Sequence, residues 1–405
     1  MNQANNTKTN HLQFFDFVRN VAMLAVVAFH AVAAYSTVTP HWHMHDGSSV
    51  VADIIRKVFD IFIMPIFFFV AGYFSLSSLQ RKGVLPFLKG KFRRIGIPWL
   101  LAILIIVPLV GYKAVASKTN FLSYWLGYLK QAGTMRLVPI ASEGLNQMDY
   151  WFLSLLFFFF FILSLIFPIL KEKGMYHSTT PQTLSNRSIL WELLFVGVLI
   201  SVGYFVSMLF IPYSGWAAID LLFFFQPTSL VLYIAWFVMG VYAYIKNWFV
   251  DGEPLGSVTV WAAITAFLVI CFLSLSQGVF ADPTNSHKLS PGFLLLFAFI
   301  RSFLCLAFLV FLTSYAIKYW NHRSLFNQKL ASHSYNIYLV HLIFVAVLQE
   351  IMMLWRGGLP MVKAGIIFLL SIIISIGISY LIKRFPRGFV AFLIALFVLA
   401  SVITL

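Results

Sequence analysis

Apolar residues run in long blocks along this chain, each near the ~20 residues that a bilayer-crossing helix needs, with short polar connections between them. Eleven such blocks are found, near 15–36, 55–78, 95–112, 150–170, 189–211, 228–246, 258–279, 292–317, 334–355, 364–382 and 388–405. The pattern predicts an all-α, polytopic transmembrane bundle of about ten or eleven spanning helices. One integral-membrane domain covers 1–405, with 1–14 as a tail and 388–405 as an additional C-terminal helix whose crossing is the least secure of the set. The widest gap, roughly 113–149, holds Tyr124, Trp125 and Tyr128 and is expected to contain an interfacial helix. No internal repeat and no soluble module stand out.

Composition strengthens that picture. Hydrophobic residues make up 61% of the chain, charged residues only 10%, and Phe alone contributes 44 of 405 positions; mean hydropathy is +0.89. A soluble globular protein is excluded. The net charge of +15 does not point to nucleic acid, because the basic residues form short clusters between apolar blocks rather than a stripe. Clusters of that kind suit a topology signal and anionic headgroups, so membrane lipids are the expected partners. Cys271 and Cys305 each lie inside an apolar block and read as small buried hydrophobes, with no disulfide expected. The first block is long, carries Arg19 and His30 and lacks a small-residue cleavage site, so it reads as a retained helix rather than a signal peptide.

Orientation follows from lysine and arginine. The stretch QRKGVLPFLKGKFRR (80–94) packs Arg81, Lys82, Lys89, Lys91, Arg93 and Arg94 into one connection, which marks it as cytosolic and puts the N-terminus inside. Counting onward, the connections with Lys171, Lys173 and Arg187, with Lys318, Arg323 and Lys329, and with Lys383, Arg384 and Arg387 fall inside too. Those around Asp46, Asp53, Asp220 and Asp282 fall outside.

The first block then poses a chemical question, because it carries two ionisable groups. Eleven positions separate Arg19 from His30, about three helical turns, so both lie on one face roughly 16 Å apart. Asp16 lies a turn before Arg19. Arg19 also reads as a snorkelling anchor paired with Asp16, and His30 as a polar contact inside the bundle.

The first block's arginine and histidine, with ten residues between them, are followed by MPIFFFVAGYFSLSSLQRKGVLPFLKGKFRRIGIPWL, and SHSYNIYLVHLIF comes much later. In that order the three motifs resemble the acyltransferase 3 family of bacterial membrane O-acyltransferases. Within it, HAVAAYS, VAGYFS and RRIGIP are most similar to the branch that decorates periplasmic glucans, sometimes with succinyl. The resemblance implies a multi-pass protein of the bacterial cytoplasmic (inner) membrane. It further implies a cytosolic acyl-CoA co-substrate carrying acetyl or succinyl, and transfer to a hydroxyl of an extracytoplasmic glycan. No metal is expected. Departures are visible: Pro65 stands where many members have an acid, Ala71 where they have serine, and Lys91 where an arginine precedes Arg94 by three.

An imidazole can take the proton of a sugar hydroxyl as it attacks a thioester, and a carboxylate on its other nitrogen would fix the tautomer. His30 is the expected base, Asp60 the expected carboxylate in place of the missing acid, and Arg19 the group that steadies the donor. Asp60 also reads as a helix-end charge at the outer surface. Lys89, Lys91, Arg93 and Arg94, with Arg301 deeper in the membrane, are expected to meet the coenzyme's phosphates. Tyr338, His341 and Asp149 are assigned to the acceptor, Tyr338 and His341 sharing a helix face; all three also read as structural or surface groups. In HWHMHD, His41, His43, His45 and Asp46 form a solvated outer loop or substrate rim more readily than a metal site. A proton- or solute-coupled transporter is the rival from another class, since Arg19, His30, Asp60 and Arg301 would serve a proton relay as well. A scaffold for glycan assembly needs none of these charges.

Overall fold

In a computed structural model the described residues are 12–38, 42, 44–112, 119–130, 135–139, 147–172, 174, 186–219, 223–249 and 251–403. Helices make up nearly all of them. α1 is Gln13–Ala31 and α2 Val50–Lys82. The third pass is a chain of short helices, α3 (Val84–Lys91), α4 (Ile97–Leu101) and α5 (Val107–Tyr112), joined by π-helical turns at Phe92–Gly96 and Ala102–Ile106. α6 (Phe121–Lys130) is the helix expected in the wide gap. There follow α7 (Trp151–Glu172), α8 (Asn186–Phe210), α9 (Pro227–Ile245), α10 (Val258–Ala281), α11 (Pro291–Trp320), α12 (Leu325–Met353), α13 (Pro360–Arg384) and α14 (Pro386–Ile403).

Nine helices among the described residues are long and apolar enough to cross a membrane. α2, uncharged from Ile61 to Gln80 after a charged first third, and the shorter α14 add two more apolar helices. The fold is a polytopic transmembrane bundle.

Helix starts follow local chemistry. Ser257, Ser290 and Ser324 accept hydrogen bonds from the backbone N–H groups of Val260, Phe293 and Asn327, and Pro227, Pro291 and Pro360 open their helices where no N–H is needed. Gly83, with φ of +76°, ends α2 and lets the chain turn into α3.

α1 is the central helix: 67% of its apolar window is buried, against 11% for α10 at the periphery. α2 packs on α9 through Gly72 and Gly240, each facing the backbone of the other helix. A three-stranded antiparallel sheet, absent from the sequence expectation, joins β1 (Met135–Pro139), β2 (Gly215–Ile219) and β3 (Phe223–Phe225) in that order. Its Trp216 lies 5.8 Å from the ring of Trp151, and its Phe223 5.2 Å from Phe158, so it braces the start of α7.

Candidate functional site

Three distant segments meet around one imidazole. His30 is the penultimate residue of α1, about 26 Å along the axis from Gln13. His341 lies about 24 Å up α12 from Leu325. Asp149 sits in the single 3-10 turn, Met148–Tyr150, that leads into α7. Nε2 of His30 is 2.9 Å from Oδ1 of Asp149, and Nε2 of His341 is 4.0 Å from Oδ2. The two rings are linked by a 3.3 Å contact from Nε2 of His341 to Nδ1 of His30. Both histidines are buried, 4% and 0% exposed.

The hydrogen-bond network assigns the protons. Nδ1 of His30 lies 2.8 Å from the carbonyl of Val26, and Nδ1 of His341 lies 2.7 Å from that of Tyr338. A carbonyl only accepts, so each Nδ1 carries a hydrogen; the neutral His30 ring turns its Nε2 lone pair toward Asp149, and that of His341 lies nearer Nδ1 of His30. A 2.9 Å approach of the His30 lone pair to a carboxylate requires a proton between them. The geometry is therefore that of an imidazolium–carboxylate pair, the state His30 reaches after taking a proton.

Neighbours hold this arrangement in place. The Tyr338 hydroxyl donates to the backbone carbonyl of Asp149, and the Tyr150 hydroxyl to that of Leu339 at 2.8 Å, stitching α12 to the turn. Trp42 stacks on His30 with ring centroids 5.7 Å apart, and its indole N–H donates to Gln349 Oε1 at 2.9 Å. The amide of Gln349 in turn donates to the carbonyl of His30, also at 2.9 Å.

This corrects the expected pairing. The carboxylate that meets His30 is Asp149, which the sequence reading had assigned to the acceptor. Asp60 is engaged elsewhere, 3.0 Å from Nη2 of Arg301 and 3.1 Å from the hydroxyl of Tyr213. Asp60 and Arg301 stand ten residues inside α2 and α11, at a common depth of about 15 Å, so the lone guanidinium does have the partner that burial demands. Arg301 is about 28 Å from the basic end of α11, too far to meet a coenzyme's phosphates there. His341 and Tyr338 prove to be parts of the His30 assembly. The signal for Asp149 was an acid one residue ahead of Tyr150 and the aromatic-rich block that follows.

The family profile described as acyltransferase domain matches residues 12–384. The chain belongs to the acyltransferase 3 family. Similar proteins are called glucans biosynthesis protein C. That of Salmonella schwarzengrund (strain CVM19633) is 26% identical over 235 residues, 57% of this chain and 58% of the relative. That of Salmonella typhi is 27% identical over 237 residues, with the same coverage. That of Escherichia coli (strain K12) is 34% identical over 91 residues, 22% of this chain and 23% of the relative. The chain thus spans under two thirds of these relatives. No solved structure matches it.

In this family member the remaining expected residues lie toward the opposite, basic end. Arg19 donates to the Asp16 carboxylate and is 37% exposed at its side chain. Lys89, Arg93 and Arg94 are exposed. Lys91 is half-buried with its ammonium 3.7 Å from the ring centroid of Phe160. Arg93 and Arg94 sit on the first π-helical turn, whose wider spacing is common at functional sites.

His30, Asp149 and His341 also form a donor set for a metal ion, with ligand atoms within 4.8 Å of one another. Of the HWHMHD loop, His41 and His43 lie outside the described residues, His45 is exposed, and Asp46 pairs with Lys363 at 2.8 Å. Asp220 lies outside them too.

Proposed function

We propose that this protein is an O-acyltransferase of a bacterial cytoplasmic membrane that moves an acetyl or succinyl group from cytosolic acyl-CoA to a hydroxyl of an extracytoplasmic glucan. The observation that carries this reading is the 2.9 Å contact of His30 with Asp149, buried far from the basic end. Family membership supplies the reaction class. The glucan acceptor rests on the name of the relatives.

In the proposed reaction the acceptor hydroxyl gives its proton to the His30–Asp149 pair, where it comes to lie between Nε2 of His30 and Oδ1 of Asp149, as its oxygen bonds to the thioester carbon. The carbon–sulfur bond then breaks and the sulfur departs as the CoA thiol, taking that proton from His30. Val26 holds Nδ1–H, which makes Nε2 the basic atom, and Asp149 faces the imidazolium that forms. A site already shaped for the imidazolium favours the transition state over the ground state. Arg19, Lys89, Lys91, Arg93 and Arg94 line the route by which a polyanionic donor reaches the bundle from the cytosolic side.

Thermal unfolding of the purified protein tests the reading. Acetyl-CoA or succinyl-CoA is expected to raise Tm by linkage, by about 2.7 kcal/mol of apparent stability at a hundredfold excess over Kd. No shift with either donor, together with pH-dependent solute flux in liposomes, would favour a transporter instead.

A further inference from the structure

Arg56, which no sequence motif singled out, has donors to spare beside the His30 assembly. It stands six residues, about 9 Å, inside α2 and one turn before Asp60. Its Nη1 donates to the carbonyl of Phe29, the residue before His30, at 3.1 Å, and its guanidinium lies 3.5 Å from the ring centroid of Phe29. Those two contacts fix the group in place. Its Nε is buried with no hydrogen-bond partner among the described residues. Asp60 and Asp149 are its charged neighbours, yet neither makes an ion pair with it: Asp60 is held by Arg301 and Asp149 by His30.

We propose that Arg56 receives the negative charge that develops on the thioester carbonyl oxygen during transfer, a role that rests on the acyl-transfer reading above. When the hydroxyl oxygen bonds to the carbonyl carbon, the carbonyl π pair moves onto its oxygen, and it returns when the carbon–sulfur bond breaks. Charge counting supports a cation beside that oxygen. With His30 neutral, the carboxylates of Asp60 and Asp149 balance the guanidiniums of Arg301 and Arg56. Proton uptake by His30 leaves one uncompensated positive charge, and the oxyanion born in the same step offsets it. A preorganised guanidinium in a site of low dielectric is the kind of group that lowers such a barrier, because it needs no reorganisation as the charge appears. Arg56 also hangs from the backbone next to the base, so base and charge acceptor stay in register.

The experiment compares wild type, Arg56→Gln, Arg56→Lys and His30→Ala as purified full-length protein. It follows CoA release from acetyl-CoA with octyl β-glucoside or water as the hydroxyl donor, and acetyl-CoA binding separately. Arg56→Gln is expected to lower kcat by about 10²–10³-fold while KM and acetyl-CoA affinity change less than about threefold. Added guanidinium ion is expected to restore part of kcat in Arg56→Gln and to do nothing for His30→Ala. If Arg56→Gln does not fold, folded Arg56→Lys carries the test, with kcat down at least about tenfold because the ammonium lacks the fork. Wild-type kcat in either folded Arg56 variant, or a loss confined to KM and donor affinity, would overturn the assignment. Arg56 variants as active as wild type beside a dead His30→Ala would sink this inference alone. An active His30→Ala, or a wild-type protein that releases no CoA, would remove the proposed function and this inference with it.

Discussion

Gly72 of α2 and Gly240 of α9 face each other so closely that a Cβ on Gly72 would run into the carbonyl oxygen of Phe237, and one on Gly240 into that of Phe69. Neither carbonyl can yield without breaking its own helix. Gly72→Ala and Gly240→Ala are each expected to destabilise the bundle by about 1–3 kcal/mol, the range for overpacking a tight contact. Thermal unfolding in one detergent measures it. An unchanged Tm in both variants would mean that α2 and α9 are further apart than described.

Asp149 should matter as much as His30. His30→Ala is expected to reduce acyl transfer about 10²–10⁴-fold through loss of the base, with acyl-CoA binding retained. Asp149→Asn should fall in the same range, because an amide cannot stabilise the imidazolium. Asp60→Asn should cost stability through the unpaired Arg301, so a folded Asp60→Asn with catalysis as low as Asp149→Asn would restore Asp60 as the partner of His30.

Much of this architecture was legible beforehand, and the reasons for success and failure are physical. Spanning helices announce themselves because hydrocarbon tolerates only long apolar runs, and the eleven blocks correspond to α1, α2, the α3–α5 chain and α7–α14. α6 was readable from its interfacial aromatics. The small sheet was not, since β1 lies far from β2 in the chain and pairs with it only in three dimensions, and β2 and β3 are strands of only five and three residues. His30 was readable because an imidazole in an apolar run needs a reason. Its partner was misread because Asp60 lies within a helix at a fitting depth, whereas Asp149 looked like a helix-end charge, and only the fold shows which of them faces His30. Arg56 escaped notice as one of four charged residues in the first third of α2.

The basic connection should bind the donor. Neutralising Lys91 and Arg94 together is expected to weaken acyl-CoA binding by about 1–3 kcal/mol, as for charge-assisted contacts, and to flatten its dependence on salt. Titration at two ionic strengths decides. Unchanged affinity in a correctly inserted double variant would leave the cluster as a topology signal only.

Orientation has a direct check. In a chain without Cys271 and Cys305, a cysteine at Ser48 should react with a membrane-impermeant maleimide in intact cells, and one at Gly90 should not. The reverse pattern would invert the bundle and move His30 to the cytosolic half.

The convergence of His30, Asp149 and His341 allows a test by metal removal. Because a proton suffices to join His30 to Asp149, dialysis against EDTA or 1,10-phenanthroline should leave acyl transfer unchanged. Activity lost to the chelator and restored by Zn²⁺ would turn the three residues into ligands.

His341 lies 311 positions after His30 in the chain. At about 5–20 residues per second, a ribosome needs on the order of 15–60 s to travel that far after His30 has been made. Throughout that interval the nascent protein holds His30 and then Asp149 in the membrane without the helix that stitches them together. A message broken before its last quarter therefore yields a chain without the Tyr338 hydroxyl that holds the Asp149 turn and without the second imidazole beside His30.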